Sequence, residues 1–274
     1  MTLLIAVADP HADEELLATA RNLAKAAGWA PRVVHVREAG GAELGSADLA
    51  DLEVVDLEGE AAATLVGLAA KADLQAVAVG LHPLPAGKGR SKAKAQAKDA
   101  SRLGHVAESM LSAGVAPLLL VRPGMRPLTE LRRLVVPLEG SPSASVAMTR
   151  ADDAFCRRGR EIVMLHVVTT TTPGERGSLP APRIVDQEHY EWSAWQEEFT
   201  MRFSQCPEGG RHRVAVRVGT PALAIAEEAR ADGAELIVLS WNGSFADGHG
   251  AVVRELLETA PCPLLIIPRG PQGG

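Results

Sequence analysis

Few side chains in this 274-residue chain have the types and spacing that chemistry needs, and the motifs they begin are incomplete. Ser240, Asp247 and His249 are the residue types of a hydrolytic triad, but no nucleophile elbow accompanies them. Gly87-Lys88 is not a phosphate-binding loop: Gly80 is too far upstream, and Gly89 follows the lysine where a serine or threonine is required. Gly248-His249-Gly250 opens like a dinucleotide fingerprint, but its sixth position is Val253 where Gly or Ala is needed. His35 and His166 stand at equivalent strand ends and read as core-edge histidines. Cys156, Cys206 and Cys262 are scattered, with no zinc-type spacing, and read as free thiols of a reducing compartment.

One cluster is plainly charged. Lys88, Arg90, Lys92, Lys94, Lys98 and Arg102 fall within the fifteen residues 88–102. It reads either as a solvated loop or as an anion clamp that would fold over a neighbouring site. The chain as a whole carries a net charge of -6, which argues against general nucleic-acid binding. No apolar run approaches the roughly 20 residues of a membrane helix. The apolar start Leu3–Ala8 lacks a basic flank and stops at Asp9, so a cytoplasmic location is expected.

The elements that must position these residues repeat once along the chain. Leu4–Val7 and Leu134–Pro137 are apolar runs, each ending in a carboxylate and a turn, and each precedes an Ala-rich helical stretch, 12–28 or 142–158. Further apolar strands follow at Arg32–Val36 and Ile162–Val168, then at Ala76–Gly80 and Leu236–Ser240, and last at Leu118–Val121 and Leu264–Ile267. Gly59-Glu60-Ala61 and Gly219-Thr220-Pro221 open matching helices. Runs of this kind suit strands buried on both faces, and alternation with helices gives right-handed crossovers and a parallel sheet. Pro123-Gly124-Met125-Arg126-Pro127 punctuates the repeat, dividing the chain into units 1–124 and 130–269. A joint this short predicts a packed pseudo-dimer.

Leu134–Ala144, Leu165–Val168, Val218–Ala222, Ala234–Leu239 and Ala260–Ile267, in that order, resemble the successive strands and turns of the universal stress proteins; residues 1–123 show the same order more weakly. The resemblance implies an α/β fold, two doubly wound five-stranded parallel sheets in tandem, with pairing through the last strands. It also implies an ATP or other adenine nucleotide site. That site comprises a carboxylate after the first strand, a Gly-x-x-Gly after the fourth, and a Gly followed by Ser or Thr at a helix start. Glycines and helix N-termini of this kind bring backbone N–H groups to phosphate.

Carried onto the first half, the pattern falls on Asp9, Gly80, Gly104 and His105, with Pro83 where the second glycine belongs and His105 where the hydroxyl belongs. In the second half it falls on Pro137, Leu138, Glu139, Val167, Leu239, Ser240, Gly243, Gly250, Ala251 and Val252. There Glu139 replaces Asp, Ser240 replaces Gly, Trp241 is bulky, and only six residues separate Gly243 from Gly250. Both sites are therefore degraded versions of the pattern.

Tyr190, Trp192, Trp195, Phe199 and Phe203 mark a helical stretch, 186–204, with no counterpart in the first half; it is expected to pack on its own sheet or to meet a partner. The leading expectation is a self-associating or pseudo-dimeric regulatory module that takes a small anionic ligand. The alternatives are an ATP-hydrolysing or adenylate-forming enzyme of the same architecture and a scaffold that binds no nucleotide.

Overall fold

The computed structural model describes residues 1–9, 12–37, 49, 51–71, 74–81, 104–138, 144–157, 159–169, 210–243 and 248–268. The aromatic stretch 186–204 and the basic run 88–102 lie outside the described residues, as does Glu139.

The first half runs β1 (Thr2–Ala6), α1 (Glu14–Ala27), β2 (Ala30–Arg37), β3 (Glu53–Glu58), α2 (Ala61–Lys71), β4 (Leu74–Gly80), α3 (His105–Ala113) and β5 (Leu118–Val121). The second half repeats it with β6 (Arg133–Pro137), α4 (Ala144–Phe155), β7 (Glu161–Val168), β8 (Arg211–Val218), α5 (Pro221–Ala231), β9 (Leu236–Trp241), α6 (Gly248–Thr259) and β10 (Leu264–Pro268). The first-half elements form where the alternating pattern puts them, and Gly28 ends α1 in a left-handed conformation, φ 71°.

The strands form a ten-stranded sheet in the order β3-β2-β1-β4-β5-β10-β9-β6-β7-β8. Within each half the pairing is parallel. The halves meet where β5 pairs antiparallel with β10, in the register Leu264↔Leu120, Leu265↔Leu119 and Ile266↔Leu118. The last strands of the two halves thus pair with each other inside one chain. Each is apolar and buried, so the seam adds a sheet hydrogen-bond ladder to a continuous core. The outer strands β3 and β8 are the charged ones, EVVDLE and RHRVAVRV, as exposed sheet edges require.

Two apolar layers sandwich the sheet. Leu16, Leu23, Met148 and Phe155 of α1 and α4 pack on one face of both halves. Leu65, Met110, Ile225 and Leu256 of α2, α3, α5 and α6 pack on the other. This doubly wound order leaves a crevice at the carboxyl ends of the strands, where the topology reverses between β1 and β4.

One expectation about the cysteines needs correction. Cys262 is free and buried, but Cys156 is disulfide-bonded, its partner lying outside the described residues. Burial at the end of α4 does not keep Cys156 from this bond, and sequence spacing carried no sign of it.

Candidate functional site

The crevice of the first half is a cleft of about 120 Å³. It is lined by the ends of β1 (Ala6–Ala8), β2 (Val34, Val36) and β4 (Val79, Gly80), by the start of α2 (Ala61, Leu65), by Val106 of α3, and by Asp13. The walls are aliphatic because strands buried on both faces run apolar to their tips, and a carboxylate enters where the chain turns into α1.

That carboxylate is Asp13, a residue the sequence reading passed over. It is 2% exposed. Its Oδ2 accepts the backbone N–H of Ala8 at 2.8 Å and of Asp9 at 3.2 Å. Asp13 heads α1, and its own N–H donates to the Asp9 carbonyl at 2.8 Å. The side chain therefore folds back on the turn and sets its shape. Asp9, the expected contact, stands exposed at the turn. The available signal was the Asp9-x-x-x-Asp13 spacing at a strand-to-helix turn, where a second carboxylate can bind orphan N–H groups.

Of the two glycines expected here, Gly80 lines the cleft, and Gly104 heads α3 two residues before Val106, which also lines it. Gly104 adopts φ +74° and ψ 147°, a conformation that L side chains rarely take, so a glycine is needed for the backbone itself. His105 projects outward, its Nε2 3.5 Å from Glu60 Oε1. Glu60 caps α2: its carboxylate accepts the N–H of Ala63 at 2.7 Å and of Ala62 at 3.0 Å. These two bonds, led by Ala63, hold the Glu60 carboxyl below its ordinary range. The α2 N-terminus is thus already served by an internal anion. Asp13 lines the cleft, and Asp9 and Glu60 adjoin its lining residues Ala8 and Ala61, so carboxylates concentrate at this end of the half.

In the second half Pro137 ends β6, and Leu138 is buried behind it. Leu138 donates to the Leu165 carbonyl at 2.8 Å, and its own carbonyl lies 3.1 Å from His166 Nδ1. Val167 is half-buried, while Leu239 and Ser240 are buried at the end of β9. Gly243 has φ +84°. Gly250, Ala251 and Val252 lie inside α6, which starts at Gly248. The shortened loop lets the helix begin two residues before the glycine that should open it, so Gly250 does not repeat the part of Gly104.

Trp241 does not sit in this site. Its side chain is 1% exposed, and Nε1 donates to the Leu111 carbonyl of α3 at 2.7 Å. Its bulk is spent on the seam between halves. The two strand-end histidines are core-edge residues as expected, with different partners: His35 Nδ1 lies 2.9 Å from Asp56 Oδ1, and His166 meets a backbone carbonyl.

Comparison with known proteins agrees with this architecture. A model of the universal stress protein family matches residues 130–268. No curated protein matches the chain. The crystal structure of a universal stress protein from Archaeoglobus fulgidus superposes with a TM-score of 0.64 at 16% identity, covering 99% of this chain and 97% of that one. A putative universal stress protein from Pseudomonas aeruginosa gives 0.60 at 12% identity, covering 97% of this chain and 92% of that one. A universal stress protein solved in complex with cAMP matches 50% of this chain and 96% of its own, at 18% identity and a TM-score of 0.37. Both full-length likenesses show the tandem fold, and the family match spans more than half of the sequence: the chain belongs to the universal stress protein family.

Proposed function

We propose that the protein is a tandem binding and regulatory module whose first half takes the nucleoside part of an adenine nucleotide. The observation that carries this is the aliphatic cleft at the carboxyl ends of β1 and β4, lined by Asp13 and by Val106 in the first turn of α3, with Asp9 and Glu60 next in sequence to its lining residues Ala8 and Ala61. Aliphatic walls suit a flat ring, and carboxylates accept the N–H and O–H donors of a base and a ribose. The cleft is smaller than the ~300 Å³ at which drug-sized pockets begin, so it suits a ring better than a whole nucleotide. Three carboxylates nearby disfavour a polyphosphate, unless the basic run 88–102 supplies the countercharge.

Calorimetric titration of the full chain with adenosine, AMP and ATP tests this. Adenosine and AMP should bind at least as tightly as ATP, and Ala61→Phe, which fills the cleft, should abolish binding of all three. Absence of heat with each of them at millimolar concentration overturns the reading, as does binding unchanged in Ala61→Phe. Stoichiometric ATP turnover with metal would favour the enzymatic alternative.

A further inference from the structure

In the second half, at the amino ends of the strands, the last turn of α4 faces the start of the edge strand β8. Asp152 and Cys156 are four residues apart and share one helix face, the Cys156 N–H donating to the Asp152 carbonyl at 3.0 Å. His212 of β8 points at them. Its Nε2 is 2.8 Å from Asp152 Oδ1 and 4.0 Å from Cys156 Sγ. All three donor atoms lie within 4.8 Å of one another. Asp152 is 3% exposed and Cys156 1%, and the His212 side chain is 9% exposed.

These residue types also make catalytic triads, but the geometry here is different. A triad puts the carboxylate on one imidazole nitrogen and the nucleophile on the other. Here carboxylate and sulfur both converge on Nε2, and all three side chains are buried. Convergence of one N, one S and one O donor on a single point is what a cation satisfies. Zinc takes these three donors at about 2.0–2.3 Å in a tetrahedron, which sets the donors roughly 3.3–3.7 Å apart. The observed spacing needs a shift of only about 1 Å to reach it.

We propose that Asp152, Cys156 and His212 form a zinc-type metal site, closed while Cys156 is in its disulfide and opened when that bond is reduced. Reduction is ordinary exchange. A dithiol thiolate attacks the Cys156 disulfide, the mixed disulfide resolves, and the dithiol leaves as its own disulfide, having given two electrons and two protons to the two protein thiols. The ion then displaces the Cys156 proton and binds the thiolate, the imidazole and the carboxylate. Cys262 does not compete, because burial pushes its thiol up to about 12. Metal binding would tie the end of α4 to β8 only under reducing conditions, coupling the stability of the sheet edge to redox state.

The test uses the full chain, oxidised or treated with a phosphine reductant, titrated with Co²⁺ and then Zn²⁺. Reduced protein should bind one equivalent of Co²⁺ with a thiolate-to-cobalt charge-transfer band that Zn²⁺ abolishes, and Zn²⁺ should raise its melting temperature. Oxidised protein should show neither effect. Asp152→Asn should weaken Co²⁺ binding at least tenfold, and Cys156→Ser should remove the charge-transfer band. The proposal is overturned if reduced wild type takes up no Co²⁺, or if the band survives in Cys156→Ser. Equal uptake by oxidised protein removes the redox gate. The comparison of oxidised with reduced wild type needs no variant, so a misfolded mutant cannot leave the matter open.

Discussion

The indole N–H of Trp241, at the end of β9, donates to the carbonyl of Leu111 in the last turn of α3, 130 residues earlier and in the other half. That carbonyl is one of the four at a helix end with no partner inside the helix. The converse contact exists too. Arg122, just after β5, donates from Nε to Leu257 O at 3.0 Å and from Nη2 to Ala260 O at 3.3 Å, at the end of α6. Each half thus satisfies the end of the other's last helix, on either side of the β5–β10 ladder.

Trp241→Phe keeps most of the buried ring and removes the donor, leaving a buried carbonyl unsatisfied. It should cost about 1–3 kcal/mol. Trp241→Ala also opens a cavity and should cost about 3–5 kcal/mol. Urea unfolding of the two variants checks both the values and their order.

Arg122→Ala should act on α6 more than on the sheet. Loss of its charged hydrogen bonds should cost about 1.5–3 kcal/mol. Hydrogen exchange should quicken at the last turn of α6 and at Arg126, whose N–H bonds to the Pro261 carbonyl at 2.8 Å, while β1 and β2 keep their protection.

Asp13→Ala releases the N–H groups of Ala8 and Asp9 and loosens the turn that presents Asp9. Stability should fall by about 1–3 kcal/mol. Adenosine binding should weaken more than in Asp9→Ala, because the first change disorders the rim while the second removes one contact. Denaturation and calorimetry on the two variants separate these effects.

The buried Cys262 thiol gives a pH dependence of known sign. Burial raises it from 9.0 to about 12, so the folded chain holds the neutral thiol where the unfolded chain would ionise. The resulting stability is complete below pH 9 and is lost as the pH rises towards 12. Above pH 9, wild type should therefore lose more stability than Cys262→Ala, measured by urea unfolding along a pH series. The native thiol should also resist alkylation at mildly alkaline pH and react once the chain unfolds.

Strand and helix order was legible because it is written in local periodicity. Runs such as Leu134–Pro137 and Leu236–Ser240 suit strands buried on both faces, as in a parallel sheet covered by helices, and the repeat of that order pointed to two units. Gly104 was expected at a helix start only through the family resemblance, and the structure adds the physical reason for a glycine there, a positive φ. By itself, then, the sequence determined two successive units of alternating strands and helices. Tertiary structure alone decided that β5 pairs with β10, that Trp241 serves the seam and not a ligand, that Asp13 holds the turn, and that Asp152, Cys156 and His212 converge. These are contacts made by single polar atoms, several between residues tens to more than a hundred positions apart. Hydrophobic periodicity constrains faces, whereas a hydrogen bond of this kind depends on where two folded elements come to rest.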